Sequence, residues 1–369
     1  MRTRVAVFVA IVQAILFLAH AAIYETWIGL WGLPAPAALL ALRLCLGVLS
    51  VTFVAASLLA FRFSNAMVRA FYRFAAIWAG FLNFFLCAAG LSWLTYGVTW
   101  VAGAHDSGRP IVATFFSLAV VVSVYGIFNA SRIRIKSVWV RLPNLPESWR
   151  GKRAALVSDL HLGHVRGRHF SRRIVKMLAC ENPEIVFIAG DFYDGTPVDL
   201  EGVAQPWSEL SSAQGIFFAA GNHEEFHRNT EFLDGVRSAG IRVLNNEKAI
   251  ASGVQILGVN YHSTSNPRRF ASVLRELAID SNSPSILVSH SPHLLEIPER
   301  AGVSLQLSGH THRGQVIPWR WMVDRIFGPY AYGLHRFGNM MVCTSSGAGT
   351  WGPPVRLGTN SEIVMIRFE

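Results

Sequence analysis

Four long apolar runs constrain this chain before anything else does. They cover roughly residues 5–23, 35–61, 74–98 and 111–130. Each is close to the roughly 20 residues that carry a helix across a bilayer core. Backbone in hydrocarbon must satisfy its own hydrogen bonds, so an all-α, four-helix transmembrane region is expected over residues 1–131. Composition agrees: 51% of the chain is hydrophobic and only 15% charged, against about 25% charged in an ordinary soluble domain. The deficit is local, because residues 1–131 hold seven of the 33 basic residues and only Glu25 and Asp106 of the 23 acidic ones. The first run also fits a signal peptide, since Arg2 and Arg4 precede it and small residues follow. Three further runs favour an uncleaved helix.

Loop charge sets the expected orientation. Arg2, Arg4, Arg62, Arg69, Arg73, Arg132, Arg134, Lys136 and Arg141 flank one side, against Arg43 and Arg109 on the other. That asymmetry places the N-terminus and everything after the fourth run in the cytoplasm, with the inner membrane of a bacterium as the expected location. Trp27, Trp31, Trp93, Tyr96 and Trp100 fall near run ends, where aromatic rings anchor at the lipid–water boundary. His20 and Asn83 are polar groups within or beside the runs. They form no chain that would mark a transport path, so helix-to-helix hydrogen bonding is the expected use of Asn83. The net charge of +10 comes with no Lys/Arg run or aromatic–basic module, so no nucleic-acid partner is expected. Cys45, Cys87, Cys180 and Cys343 suggest neither a disulfide framework nor a C-x-x-C site.

Residues 132–153 read as a basic connector, and the alternation of Ile133, Ile135, Val138 and Val140 predicts a first strand there. From 154 to 369 apolar strands alternate with helical stretches at about 170–180, 225–239 and 268–278, which indicates an α/β domain.

Five stretches of that domain share one design: an apolar strand, a tight turn, then residues with metal-ligating side chains. LVSDLHLG supplies Asp159 and His161, and residues two apart on a strand point the same way, so the pair is expected to converge. VFIAGDFYDG supplies Asp191. IFFAAGNHEEF supplies Asn222 and His223. SILVSHSP supplies His290, and LQLSGHTHRGQ supplies His310 and His312. Gly190, Gly221 and Gly309 each precede one of these residues and permit a sharp turn. Taken singly, Asp191 also fits a helix cap, Asn222 a turn and His290 a satisfied core histidine. Taken together, Asp, Asn and His at the carboxyl ends of strands suit two borderline-hard divalent ions.

The series D-x-H, G-D, G-N-H-E, lone H and G-H-T-H resembles the calcineurin-like metallophosphoesterase superfamily, over about residues 138–369. The G-H-T-H-x-G-Q box and the Gly-rich stretch 345–358 are similar to those of its membrane-attached bacterial members. One departure is Arg313, where the family usually has glycine. The resemblance implies a four-layer α/β/β/α sandwich and two divalent ions, with Mn, Fe or Zn open. It implies that Asp159, His161 and His312 hold one ion, that Asn222, His290 and His310 hold the other, and that Asp191 bridges them. His223 is implied to stand near the leaving group without binding metal. Ions about 3.5–4 Å apart clamp both oxygens of a phosphoryl displacement, and metal-bound hydroxide then serves as the nucleophile.

Asp194 and Glu224 follow the ligand boxes and read either as carboxylates orienting histidines or as solvated loop residues. Residues 316–337 are dense in Trp, Tyr, Phe and Arg. They read either as aromatics packed under a loop or as an apolar rim for lipid, with Arg313, Arg320 and Arg325 available to a substrate phosphate. The leading expectation is a phosphoester or pyrophosphate hydrolase at the inner face of a membrane, in contact with membrane lipids and acting on a lipid-linked substrate. Some relatives implied by the resemblance cleave UDP-diacylglucosamine in lipid A synthesis, which is an alternative substrate. A sensory or transport protein with an inactive phosphoesterase-like domain, and a nuclease of the same superfamily, are the competing classes.

Overall fold

A computed structural model describes residues 2–225 and 230–369. It divides into two compact units, residues 1–128 with 352–355, and residues 129–351 with 356–369.

The first unit is helical. Helices α1 (Arg2–Thr26), α2 (Pro36–Ala60), α3 (Ala66–Val101) and α4 (Gly108–Ser131) match the four apolar runs. All four are long and apolar enough to cross a membrane. Their outward residues, among them Phe8, Leu18, Leu94 and Val121, are large and apolar, which suits hydrocarbon and not water. His20 links two of these helices. Its Nδ1 donates to Leu16 O at 2.7 Å, and its Nε2 accepts from Trp78 Nε1 at 2.9 Å. Both ring nitrogens are therefore satisfied inside the helical unit.

Among the described residues the second unit holds twelve strands: β1 (Ile133–Val140), β2 (Arg153–Val157), β3 (Ile185–Ala189), β4 (Ile216–Ala219), β5 (Arg242–Val243), β6 (Glu247–Ala251), β7 (Val254–Val259), β8 (Ser285–Ser289), β9 (Leu305–Ser308), β10 (Gly333–Phe337), β11 (Met340–Thr344) and β12 (Ser361–Phe368). They form two six-stranded sheets, ordered β1-β12-β2-β3-β4-β5 and β10-β11-β9-β8-β7-β6. The strand expected in the connector is β1, which runs parallel to β12 from Ile133 opposite Ser361. Strands β2 to β5 are parallel, as are β7, β8, β9 and β11. Such sheets need cover on both faces, and β3, β4, β8 and β9 are buried along their whole length.

Period-two alternation distributes these strands between layers. Leu156, Phe187 and Phe217 of the first sheet meet Ile256, Val288 and Leu307 of the second in a shared core. Val157, Ile188 and Phe218 point the other way, onto α5 (Arg168–Glu181) and α7 (Glu231–Ser238). Leu257 and Leu287 of the second sheet pack outward onto Phe270 and Leu274 of α9 (Pro267–Glu276), which follows two short helices, α6 (Leu200–Ala204) and α8 (Tyr261–Thr264). The result is the expected α/β/β/α sandwich. Part of the helix expected over 225–239 is α7, and residues 226–229 lie outside the described residues. Pro267 is the first residue of α9 and not merely ahead of it, with Asn266 Oδ1 accepting from Arg269 N as the cap. Helices α10 (Glu296–Arg300) and α11 (Trp319–Phe327) follow later in the chain.

Candidate metal centre

Strand β2 ends at Val157, two residues short of Asp159. Asp159 and His161 therefore do not converge by strand alternation, as their spacing suggests. Both sit in the left-handed region, with φ of 52° and 48°, and Asp191, His310 and His312 do so too, at 52°, 69° and 45°. Non-glycine residues adopt this region rarely and at a cost of order 1–3 kcal/mol each. The loops that follow β2, β3 and β9 thus turn back sharply and aim their side chains into one buried volume.

Three groups of side chains come within metal-binding reach there: Asp159, His161 and His312; His161, Asp191 and His223; and Asp159, Asp191 and His290. His161 Nε2 lies 3.0 Å from His312 Nε2, and His312 Nε2 lies 3.4 Å from Asp159 Oδ1. Asp191 Oδ2 stands 3.1 Å from His290 Nε2, 3.7 Å from His161 Nε2 and 3.9 Å from His223 Nε2. His310 Nδ1 lies 3.2 Å from His290 Nε2. Asn222 Oδ1 is buried without a hydrogen-bond partner among the described residues. Converging imidazole nitrogens and carboxylates, with an orphaned carbonyl oxygen one residue before His223, are the donor types of a divalent cation site. The chain fits the metal chemistry that its motifs imply.

Electrostatics favour the same use at three of the rings, whereas at His290 burial is outweighed by the Asp191 carboxylate beside it, which raises that ring to about 10. Burial holds His161 and His312 well below the ordinary imidazole value, and holds His310 down to about 3. These rings are neutral at pH 7 and keep a lone pair to donate to a metal ion. Burial would lift the Asp191 carboxyl, but His290 and His223 outweigh it and pull it well below the ordinary range. Burial lifts Asp159 to about 6.

Hydrogen bonds fix the rings. His290 Nδ1 donates to Ala189 O at 2.7 Å and His223 Nδ1 donates to Asp194 O at 2.8 Å. In both rings Nε2 is the nitrogen turned to the centre. Asp194 thus holds His223 through its backbone carbonyl, while its carboxylate accepts from His164 N and Thr196 N. Glu224 is fully enclosed, and its carboxylate accepts from backbone amides. It accepts from Asp191 N at 3.0 Å, Gly221 N at 2.8 Å and Tyr193 N at 3.0 Å, tying two ligand loops together. Neither carboxylate is a solvated loop residue.

Arg313, where the family motif has glycine, has φ of 50°. The backbone keeps the conformation that glycine adopts easily. Its guanidinium lies 4.1 Å from the centroid of the Tyr332 ring, and Lys136 Nζ lies 4.2 Å from that ring.

Two features escaped the sequence reading. The loop after β11 covers Asp159: Ala348 N donates to Ser158 O and Gly349 N to Asp159 O. A Cβ on Gly347 would come within 2.7 Å of Asp159 Cβ, so only glycine fits. Arg356 is wholly buried beneath that loop and donates to Ser346 O, Gly349 O and His312 O at 2.6, 2.8 and 3.2 Å. A lone arginine in a Pro- and Gly-rich stretch carries no sequence signal for such a role.

A family profile for calcineurin-like phosphoesterases matches residues 152–314, which contain every one of these candidate ligands. An uncharacterised metallophosphoesterase of Campylobacter jejuni is 31% identical over 269 residues, covering 70% of this chain and 71% of that one. The chain belongs to the metallophosphoesterase family. A transmembrane protein with a metallophosphoesterase domain from Danio rerio is 32% identical over 281 residues, covering 72% of this chain and 64% of its own. An uncharacterised metallophosphoesterase of Helicobacter pylori is 28% identical over 301 residues, covering 78% of this chain and 80% of that one. This metallophosphoesterase is a metal-dependent phosphohydrolase with clustered His and Asp side chains. Its four apolar helices and its transmembrane relative mark it as a membrane protein.

Proposed function

We propose that this enzyme hydrolyses a phosphoester or pyrophosphate carried by a membrane lipid, at the cytoplasmic face of a bacterial inner membrane, with two divalent ions. The observation that carries the reading is Asp191, one carboxylate within 3.9 Å of three imidazole nitrogens, in a chain with four membrane-length helices. Asp159, His161 and His312 would hold one ion, Asn222, His290 and His310 the other, and Asp191 both. When bound, the ions would supply an activated water and neutralise phosphoryl charge. The chain itself does the rest. Glu224 holds the Asp191 loop in place through backbone amides, and Arg356 holds the loop over Asp159. His223, oriented by Asp194 O, presents Nε2 for proton donation to the leaving oxygen. Arg313, which follows His312 in the chain, would pair with a substrate phosphate. Residues 1–131 would anchor the domain, 132–153 connect it, and 154–369 carry the chemistry.

A second reading follows from the grouping of His161, Asp191 and His223: His223 would be a metal ligand in place of a proton donor. Turnover by the detergent-purified protein with added Mn²⁺, against a panel of lipid and nucleotide phosphoesters, tests the function. Hydrolysis of lipid-linked members is expected, with loss on chelation. A preference for soluble nucleotides, or activity that survives chelation, would reject it.

A further inference from the structure

Helix α11 is built inside out. A helix at a water-facing surface turns its polar side outward and its apolar stripe inward. In α11 the residues turned inward are Arg320, Val323, Asp324 and Phe327, all half-buried. Arg320 Nε donates to Asp324 Oδ2 at 3.4 Å along that inner side. The outward residues are Trp319, Trp321, Met322 and Ile326, exposed by 50%, 65%, 51% and 65%, with Arg325 beside them. Trp351 is 63% exposed, and its backbone is bound on both sides to Gln315 of the loop leading into α11, at 2.9 and 3.1 Å. Three tryptophans, a methionine and an isoleucine on one surface form an apolar patch that water does not stabilise.

The covering medium follows from what the patch is tied to. The last turn of α4, where the chain leaves the fourth apolar run, belongs to the catalytic unit. Asn129 Nδ2 there donates to Arg356 O at 3.1 Å and Thr359 O at 2.9 Å. Between those two residues stands Gly358, whose carbonyl accepts from Arg320 Nη1 of α11 at 3.0 Å. Ile317 N, two residues before α11, donates to Leu357 O at 3.2 Å. One short stretch, 356–359, therefore holds both the exit of a membrane-length helix and the start of α11. A short helix with Trp on its apolar side and Arg beside it has the composition of an interfacial element.

We propose that the outward face of α11, with Trp351, lies in the headgroup layer of the bilayer and seats the centre against the lipid surface. At its other end α11 reaches the centre, where the Phe327 and His310 rings stand 6.5 Å apart between centroids. A phosphoester headgroup leaving the bilayer along α11 would arrive at the proposed ligands, with Arg325 available to its negative charge. This deepens the lipid-linked reading and rests on its membrane placement.

The test uses the full chain in nanodiscs of anionic lipid. Cys45, Cys87 and Cys180 are replaced by Ser, and buried Cys343 is kept. A nitroxide is attached at Met322→Cys, at Ile326→Cys, and at Ser265→Cys as a control. Collision with oxygen should exceed collision with a water-soluble nickel chelate at 322 and 326, and the order should reverse at 265. Nickel access at 322 and 326 equal to that at 265 overturns the proposal. Shielding from both reagents, with dipolar broadening between labels, assigns the face to a second copy and also overturns it. Independently, Trp321→Ser/Ile326→Ser should raise KM several-fold for a bilayer-borne phosphoester and leave a soluble aryl phosphate unchanged. Equal effects on both substrates overturn the seating. Labels seated in lipid on an enzyme that turns over no bilayer-borne phosphoester reject the substrate class and leave the seating standing.

Discussion

His290 Nε2 lies 3.1 Å from Asp191 Oδ2, with both side chains enclosed. The opposite nitrogen of the same ring donates to Ala189 O, the last residue of β3. A histidine at the end of the second sheet is thereby fixed to a strand of the first, and the carboxylate between them faces two further imidazoles. The two sheets come together at this residue pair, and the centre forms where they do.

Asp191→Asn should be the most damaging single change among the proposed ligands. It removes the negative charge that three imidazole nitrogens face within 3.9 Å, and it takes a ligand from both ions at once. Losing a group that merely orients a ligand typically costs about 10–100-fold in metal affinity, and losing a bridging ligand should cost more. Elemental analysis is expected to show less than one ion per chain, beside about two in the unaltered protein, the number set by the proposed ligand sets. Full metal content with full turnover would show that Asp191 bridges nothing.

Arg356→Met should loosen the centre from behind. The buried guanidinium serves four carbonyls, those of Ser346, Gly347, Gly349 and His312. Leaving buried acceptors unpaired costs about 1–3 kcal/mol each before relaxation. The thermal midpoint should fall by several degrees, at about 2–4 °C per kcal/mol for a domain of this size. Arg356→Lys should recover part of this, because one ammonium reaches fewer acceptors than the planar fork. The same variants should weaken the Asp159–His312 ion selectively, since Arg356 holds a ligand and the loop over Asp159. A midpoint within 1 °C of the parent would contradict this account.

The proposed ligands were legible in the sequence because each stands in a short box after an apolar strand, and the residue types name their own chemistry. The α/β class was legible because alternation and strand-helix order are local, and the layered sandwich came from the resemblance of the boxes to a known family. What gathers the ligands was not. Asp159 and His161 meet through left-handed backbone after the strand has ended, which period-two reasoning places one step too early. Glu224 serves amides from three points along the chain, and Arg356 serves carbonyls up to 44 residues away. No spacing rule reports such contacts. Residues 319–327 show aromatics and arginines in sequence, but only the fold tells which of them face outward.

Membrane orientation is open to direct measurement. The proposed cytoplasmic flanks carry nine basic residues and the opposite flanks two, Arg43 and Arg109, and such a bias sets the direction of insertion. Reporter fusions after Arg69 and after Glu369 should be active only as cytoplasmic reporters, and a fusion after Gly103 only as an external one. An external signal after Glu369 would reverse the assignment.

His223→Ala separates the two readings of the centre. The ring is held by Nδ1 donation to Asp194 O, and its Nε2 lies 3.9 Å from Asp191 Oδ2. As proton donor, it acts only while the leaving oxygen gains charge. Its removal should then cut turnover by about 10²–10⁴, the usual contribution of general acid catalysis, with both ions still bound. An aryl phosphate leaves as a stabilised phenolate and needs little protonation, so its loss should be far smaller than that of an alkyl phosphate. If His223 is instead a ligand, the variant should lose an ion and slow both substrates alike. If the ions stay and both substrates slow equally, the ring acts by charge or position on the phosphoryl group, because only proton donation makes the loss depend on the leaving group.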